Sequence, residues 1–237
     1  MENNYIVFHC HTMLSNPTTT MDSVNSFQDY ANKAKELNMK AICYSEHGNV
    51  YEWLHKKEYV EKLGMKYIHG IEAYITEDIN NKQRDNHHCI LIARNYTGFL
   101  ELNELISKSF NRSEVKVLDE IERFYYQPRI TYQELKNTSD NIIISTACLG
   151  GILGNGSNEL KKDFVNFLSL NKHRCFLEIQ HHNVSQQSDY NKILIQISNK
   201  FSIPLIAGTD THYLNELYAE GRKILQASKN AYFDNGE

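Results

Sequence analysis

Short apolar, β-branched runs alternate with segments of helical periodicity along most of this chain. This alternation limits the possible folds more than any other feature. The predicted strands are residues 5–9, 40–45, 67–76, 88–93, 142–146, 176–180 and 204–208. The predicted helices are residues 23–38, 50–63, 97–109, 160–170, 190–201 and 215–228. Strands separated by helices indicate an α/β fold with a mainly parallel sheet, and seven strands in 237 residues favour a closed or nearly closed barrel over an open doubly wound sheet.

The connection between the third and fourth predicted strands breaks the alternation. Residues 77–86 are polar and have no helical period. We therefore expect a hairpin, with an antiparallel fourth strand whose first residue, His88, lies beside the end of the third strand. Residues 111–127 have the composition of an insertion with charged edges. No linker, repeat or low-complexity stretch divides the chain, so we predict a single domain over residues 1–237.

The net charge limits the class of binding partner that we expect, and the cysteine content limits the cellular compartment. The net charge is −4, so no overall basic character indicates a nucleic-acid partner. The first residues have no basic and apolar pattern typical of a secretory signal, and no apolar run approaches the roughly 18 residues of a membrane span. The five cysteines form an odd set without a CxxC pair. A disulfide framework is therefore not expected, and a reducing cytoplasm fits best.

Metal-ligating side chains recur where the predicted strands end. The chain has 11 histidines, and histidine is the commonest metal ligand. The residues with suitable side chains at this rim are His9, Cys10, His11, Glu46, His47, Glu72, His87, His88, Cys148, Glu178, His181, His182, Asp210 and His212. A single histidine at a strand end is more often structural. Seven segments that deliver such residues to one rim of a barrel, however, predict a metal site at the carboxyl ends of the strands.

The types of ligand indicate the metal and its chemistry. A mixed set of imidazoles and carboxylates suits Zn²⁺, Mn²⁺ or Fe²⁺ better than Ca²⁺ or Mg²⁺. More than four ligands imply more than one ion. Clustered divalent ions with carboxylate ligands are suited to the hydrolysis of phosphate esters, because they activate water and stabilise the attacking and leaving oxygens.

Several stretches of the chain resemble the PHP (polymerase and histidinol phosphatase) family. Within it, the chain is most similar to the branch found at the N-terminus of bacterial DNA polymerase III alpha subunits. The matching stretches are residues 8–12, 34–37, 45–49, 70–74, 88–95, 98–102, 147–151, 177–181 and 210–213. The resemblance extends from about residue 5 to about residue 228. It implies a distorted seven-stranded (β/α)7 TIM-like barrel that holds three divalent metal ions.

The resemblance also implies a role for nine individual positions. The expected ligands are His9, His11, Glu72 and Asp210 for the first ion, Glu72, His88 and Cys148 for the second, and Asp22, His47 and His212 for the third. Glu72 would bridge two ions. Asp22 is matched to the acidic residue that the family has shortly after its His-x-His pair. Catalysis is expected to depend on His9, His11, Glu72, Asp210 and His212.

The activity implied by the resemblance is 3′–5′ exonuclease cleavage of DNA by a metal-activated water. The partners would be a DNA 3′ end and polymerase domains in the same or another chain. Two alternatives stay open: a phosphomonoesterase of the histidinol-phosphatase type, and a non-catalytic metal-stabilised module that supports a polymerase. Residues 94–107 resemble the polymerase branch and argue against the phosphomonoesterase. The sequence leaves open whether the chain is free-standing or part of a polymerase.

Other polar and aromatic residues receive weaker assignments. Arg94 and His181 are candidate phosphate contacts, although a surface salt bridge and a strand-end hydrogen bond explain them as well. Tyr125 and Tyr126 would be able to stack on bases. A packed insertion is nevertheless the favoured interpretation of that pair. Lys56 is interpreted as an ordinary solvated charge.

Overall fold

In the computed structural model, strands alternate with helices along the chain, and the strands form one curved sheet. The structure describes residues 5–18, 22–84 and 86–228. The strands are β1 (Ala41–Tyr44), β2 (Lys66–Thr76), β3 (His87–Ala93), β4 (Arg129–Thr131), β5 (Ile142–Ser145), β6 (Cys175–Ile179) and β7 (Leu205–Ala207). The α-helices are α1 (Phe27–Glu36), α2 (Trp53–Lys62), α3 (Tyr96–Ser109), α4 (Tyr132–Lys136), α5 (Ile152–Asn155), α6 (Asn158–Leu170), α7 (Ser185–Phe201) and α8 (Glu216–Ser228). A 3₁₀ helix covers Met13–Thr18.

The sheet has the strand order β1-β2-β3-β5-β6-β7, and β4 pairs with β2. All pairs are parallel except those of β3, which runs antiparallel to both β2 and β5. Tyr74 in β2 lies opposite His88 in β3, so the predicted hairpin is confirmed. Because β3 runs against its neighbours, its first residues lie at the carboxyl ends of the parallel strands.

The first segment of the chain closes the sheet into a distorted barrel. Residues 5–9, predicted as a strand, form no regular strand, but the segment runs between the two ends of the sheet. On one side, Ser45 N donates to Cys10 O at 3.1 Å, and on the other, His11 N donates to Thr211 O at 2.9 Å. The predicted barrel is confirmed. The seventh regular strand, however, is β4, which lies in a region that had no strand prediction.

Alternation along the strands separates an outer apolar layer from the barrel interior. In β2, Ile71 and Ala73 belong to the large apolar cluster under the helices, whereas Glu72 between them faces inward. A small interior cluster includes Phe8 and Ile90. Ile90 lies directly opposite Glu72 across the β2–β3 pair, so this apolar cluster adjoins the polar rim.

Helix ends follow local capping rather than apolar periodicity alone. The first helix, predicted from residue 23, begins at Phe27 because Ser26 and Asp29 form a capping box. The elements β4, α4 and α5 were not predicted, since three to five residues are too few to display a period. Within the described parts of the chain, no helix has both the length and the apolar character needed to cross a bilayer.

Candidate metal centre

All nine predicted ligand residues meet at the carboxyl ends of the strands. They arrive from six places in the fold: His9 and His11 from the first segment, Asp22 from the loop before α1, His47 after β1, Glu72 and His88 from the β2–β3 hairpin, Cys148 after β5, and Asp210 and His212 after β7. Extended backbone places His9 and His11 on the same side, with ring centroids 5.4 Å apart.

Glu72 occupies the middle of this group and is fully buried. Its Oε1 lies 3.0 Å from His88 Nδ1 and 3.4 Å from His9 Nε2. Its Oε2 lies 2.6 Å from His47 Nδ1 and 3.6 Å from His11 Nε2. The two oxygens of one carboxylate therefore face different imidazoles, which is the geometry required of a bridging ligand.

Three groups of donor atoms have the spacing needed to surround an ion. In each group the atoms lie within 4.8 Å of one another, a spread compatible with bonds of about 2.0–2.3 Å to a common centre. The groups are His9, His11 and Asp210; Glu72, His88 and Cys148; and His11, His47 and His212. Asp22 adjoins the third group, because its Oδ2 lies 2.8 Å from His212 Nε2 and 3.2 Å from His47 Nε2.

Several buried atoms at this point make no hydrogen bond within the described residues. They are His9 Nε2, His11 Nε2, His47 Nδ1, Glu72 Oε2 and Asp210 Oδ1. Buried polar atoms are almost always hydrogen-bonded, so five exceptions that converge on one place are what a metal-binding site would leave. Imidazole nitrogens and carboxylate oxygens, with a thiol beside them, are the donor set of a zinc, manganese or iron site. The residues present therefore fit divalent metal ions.

Glu178, at the end of β6, orients His9 from behind. Its Oε1 lies 2.5 Å from His9 Nδ1, and its carboxylate also accepts hydrogen bonds from Ser145 Oγ (2.7 Å) and Gln180 Nε2 (2.9 Å). A carboxylate behind one ring nitrogen leaves the other free to bind a metal. The sequence placed Glu178 at the rim without a role. Its only signal was an acidic residue at the carboxyl end of an apolar strand.

A second buried carboxylate supports His11. His11 Nδ1 lies 3.2 Å from Ser15 Oγ, which donates to Glu46 Oε2 at 2.6 Å. Lys56 Nζ donates to Glu46 Oε1 at 2.7 Å, and both of these charged residues are buried. Burial alone would raise the pKa of Glu46, but the Lys56 ammonium and the hydrogen bonds from Ser15 and Thr12 together outweigh it and lower the pKa to about 2. The interpretation of Lys56 as a solvated charge is therefore wrong.

The protonation of the cluster without metal depends on which charges surround each group. Burial lowers the pKa of His47, but the Glu72 and Asp22 carboxylates together outweigh it and raise that pKa to about 9. Burial, together with the neighbouring His47 and His212, lowers the pKa of His11 to about 4. Burial and the nearby carboxylates raise the pKa of the Cys148 thiol well above its usual value. Cys148 would consequently lose its proton only when a cation binds beside it.

The centre opens into a cleft of about 980 Å³. Most of the ligand residues lie at its base, and the β2–β3 loop, the segment before β4 and the loop after β6 contribute to its walls. The wall residues include Pro17, Thr18, Arg84, Asn86, Tyr126, Gln127, Asn155, Gln180, His182 and Gln187. Among the described residues that line the cleft, Arg84 is the only lysine or arginine.

Neither of the predicted phosphate contacts joins the cluster. Arg94 follows β3, and the antiparallel direction of that strand places it at the opposite end of the barrel from His88. There its Nη2 donates to His173 O at 2.9 Å. His181 is exposed and stacks on His182, which lines the cleft in its place. The structure therefore does not place Arg94 near a phosphate bound at the centre.

Comparison with known proteins agrees with this geometry. Residues 8–182 match the family model described as PHP domain. The DNA polymerase III subunit alpha of Borreliella burgdorferi is 32% identical over 232 residues, which cover 93% of this chain and 19% of that protein. The subunit of the same name from Aquifex aeolicus is 32% identical over 243 residues, covering 96% and 20%. The chain thus spans about a fifth of the length of these relatives.

A solved structure shares the fold. It is a proposed metal-dependent phosphoesterase from Bifidobacterium adolescentis, which superposes with a TM-score of 0.54 at 12% identity, over 94% of this chain and 96% of that one. The likeness concerns the arrangement of strands and helices. The family match over residues 8–182 and the strand-end ligand cluster lead to one conclusion: this chain belongs to the PHP domain family.

Proposed function

We propose that this domain is a metal-dependent phosphoesterase that removes nucleotides from the 3′ end of DNA. The observation that carries the proposal is the cluster of buried imidazole nitrogens and carboxylate oxygens around Glu72, several of which have no hydrogen-bond partner outside the cluster. Several adjacent divalent ions would satisfy all of them, and phosphate esters are the substrates that such ions hydrolyse best.

The ligand sets follow the sequence assignment. One ion would be held by His9, His11, Glu72 and Asp210, a second by Glu72, His88 and Cys148, and a third by Asp22, His47 and His212. Zinc, manganese and iron all suit these donors. When bound, such ions supply a water of lowered pKa and neutralise charge on the phosphate.

The residues of the chain fix the geometry in which that chemistry takes place. Glu178 holds the proton of His9 on Nδ1, so that Nε2 faces the centre without a proton. Ser15, supported by Glu46, holds His11 in the same way. Glu72 is inaccessible to solvent and lies within 3.6 Å of four imidazoles. Substrate would reach the centre from the cleft side, where His88, Cys148 and Asp210 are partly exposed.

DNA is the proposed substrate because the relatives are DNA polymerase III alpha subunits. Their chains are about five times longer than this one, so we propose that the domain acts beside polymerase domains in the same or a partner chain. Its place of action would then be the cytoplasm, where bacterial DNA is replicated. A cleft with one guanidinium at its wall suits a short single-stranded end better than a long duplex.

The test combines metal analysis with a nuclease assay. The purified protein is loaded with Mn²⁺ or Zn²⁺, its metal content is measured by mass spectrometry, and single-stranded DNA labelled at either end is supplied as substrate. We expect stepwise shortening from the 3′ end and loss of at least about a hundredfold in rate in His9→Ala. His55→Ala, a change at an exposed histidine on α2, is the matched control.

Each alternative predicts a different result in the same assay. Turnover of histidinol phosphate without shortening of DNA would establish a phosphomonoesterase. Stoichiometric metal without hydrolysis of either substrate would establish a structural module. Less than about one metal per chain after loading would contradict the ligand assignment itself.

A further inference from the structure

One wall of the cleft is built from two loops that are far apart in the sequence. The first is the loop between β2 and β3, and the second is the segment between α3 and β4. Arg129, buried at the start of β4, joins them. Its Nη1 donates to Asn81 O at 2.7 Å in the first loop, and its Nε donates to Arg123 O at 2.6 Å in the second. The guanidinium of Arg129 therefore connects the two loops through hydrogen bonds to their backbone carbonyl oxygens.

A second contact fixes the same wall nearer the cleft. Asn86 Nδ2 donates to Gln127 Oε1 at 3.1 Å, and Asn86 is buried. Gln127 directly follows Tyr126, whose backbone has a φ of 57°. A bulky residue rarely adopts this left-handed conformation, so the surrounding contacts hold Tyr126 in place against its local preference.

Tyr126 displays its ring at the edge of the cleft together with Arg84. The guanidinium carbon of Arg84 lies 3.8 Å from the centroid of the Tyr126 ring, a close cation–π stack. Tyr125 supports that ring edge-on, with centroids 4.8 Å apart and planes at 89°. Tyr126 nevertheless stays 56% exposed, and both members of the stack line the cleft. The pair is packed within the insertion, as the favoured interpretation expects, but this packing leaves much of the Tyr126 ring exposed.

An exposed planar surface beside a phosphate-binding centre has a specific chemical complement. Nucleobases stack on tyrosine rings and on guanidinium planes, and loss of one such platform changes binding on the order of tenfold. A base in a duplex has both faces covered by its neighbours, whereas a base at a single-stranded end has a free face. The positive charge of Arg84 also favours a polyanion, and no other lysine or arginine lines the described part of the cleft.

We propose that Arg84 and Tyr126 form a stacking platform for a base that flanks the phosphate held at the metal centre, and that the platform selects single-stranded DNA ends. This assignment extends the proposed function, on which it depends for its substrate. Arg84 and Tyr126 are positioning residues: they hold the DNA strand and do not take part in bond cleavage.

The first test measures stacking directly and needs no turnover. Oligonucleotides carry 2-aminopurine at the 3′-terminal, penultimate or tenth position, with a phosphorothioate at the last linkage to slow hydrolysis. We expect the wild-type protein to quench the fluorophore near the end and not at the tenth position. Tyr126→Asn, which removes the ring and tolerates the left-handed backbone, should abolish that quenching and weaken binding about tenfold. Tyr126→Phe, which keeps the ring, should retain both.

The chain provides a matched control on the same segment. Arg112 stacks on Phe124 at 3.9 Å, and neither residue lines the cleft. Arg112→Ala should leave quenching unchanged, whereas Arg84→Ala should reduce it. In turnover experiments, Tyr126→Asn should raise KM about tenfold for a normal 3′ end with little change in kcat, and should not change KM for an end with abasic terminal positions.

The outcomes separate this platform from the proposed activity. Equal quenching by the wild type and Tyr126→Asn, or an equal rise in KM for normal and abasic ends, would overturn the platform. Quenching without any cleavage of unmodified DNA would contradict the proposed exonuclease and leave the platform standing. Cleavage of DNA without quenching by the wild type would contradict the platform alone.

Discussion

At the scale of single residues, the centre depends on carboxylates that hold imidazoles in one protonation state. Glu178 lies 2.5 Å from His9 Nδ1 and is itself fixed by Ser145 and Gln180. His9 Nε2, at the other side of the ring, faces Asp210 Oδ1 at 3.1 Å. One ring nitrogen of His9 therefore faces a carboxylate behind the ligand cluster, and the other faces the cluster itself, which is the arrangement expected of a metal-binding histidine.

We predict that Glu178→Gln weakens metal binding about 10- to 100-fold. Glutamine has nearly the same shape, but it lacks the charge that favours the required tautomer of His9. Zinc titration of the metal-free protein by calorimetry measures the effect. Glu58→Gln, at an exposed position on α2, should bind zinc like the wild type. An unchanged zinc affinity in Glu178→Gln would show that Glu178 does not orient His9.

A histidine away from the centre gives a pH prediction. His69 is buried in β2, where its ring nitrogens lie 3.0 Å from Tyr67 Oη and 3.1 Å from Asn103 Oδ1. Burial lowers its pKa from 6.5 to about 4. The unfolded chain therefore binds a proton at higher pH than the folded chain. This contribution to stability is complete above about pH 6.5 and is lost as the pH falls towards 4.

We expect His69→Gln to remove part of the acid sensitivity of the fold. The full pKa difference corresponds to about 3 kcal/mol of unfolding free energy between pH 6.5 and 4. Urea unfolding of both metal-free proteins at several pH values gives the comparison, because all other titratable groups are shared. Parallel stability curves for the two proteins would contradict a lowered pKa at His69.

At the scale of elements, the β2–β3 hairpin determines which side chains reach the rim. The antiparallel direction of β3 brings His88 to the centre, opposite Tyr74 in β2. The same direction carries Arg94, six residues later, to the far end of the barrel. The antiparallel direction of β3 therefore brings His88, a candidate ligand, to the rim and places Arg94, a candidate phosphate contact, at the opposite end of the barrel.

The close approach of α3 to the residue just before β5 provides a packing prediction. Gly98 lies in α3, and a Cβ at this position would overlap the carbonyl oxygen of Asn141. Gly98→Ala should therefore lower the free energy of unfolding by about 1–3 kcal/mol, measured by urea titration. Gly221→Ala in α8 is the comparison, since a Cβ there meets only the methyl group of Val24 at 3.2 Å. Equal stability of Gly98→Ala and the wild type would mean that α3 shifts freely.

At the scale of the whole molecule, the centre joins parts of the chain that are distant in sequence. The ligand residues run from His9 to His212, and the first segment closes the barrel by bonding on both sides. Bound ions would therefore crosslink the closing segment, the hairpin and the segment after β7. Such a centre exists only in the folded chain, so metal binding and folding are linked.

We predict that metal raises the melting temperature in a concentration-dependent manner. At a free concentration of about 100 times Kd, one ion adds about 2.7 kcal/mol to the unfolding free energy. Differential scanning calorimetry over a range of buffered zinc concentrations gives the measurement. His55→Ala should follow the wild type, whereas His9→Ala should lose most of the dependence. A melting temperature that is independent of metal would contradict binding at the centre.

Local pattern was enough for the alternation of elements and for most of the candidate ligand residues at the rim, whereas Asp22 came from the family resemblance. The hairpin and the positions of six of the predicted strands agree with the structure, because apolar periodicity reports burial within a short stretch. The nine expected ligand residues come together for a related reason. His47, Cys148, Asp210 and His212 follow parallel strands, which bring their carboxyl ends to one rim, and His88 reaches the same rim through the antiparallel hairpin.

Other features depended on contacts that no short stretch contains. Only the fold shows that Lys56 is buried against Glu46, that Glu178 lies behind His9, and that the first segment closes the barrel without forming a strand. The stack of Arg84 on Tyr126 joins residues 42 positions apart. The sequence by itself thus determined the kinds of element and the chemistry at their ends, because both are local. Only the tertiary structure decided that Glu178 and Lys56 support the ligand residues and that Arg84 and Tyr126 form an exposed stack beside them. The reason is that burial and pairing across the barrel follow from the topology of the chain.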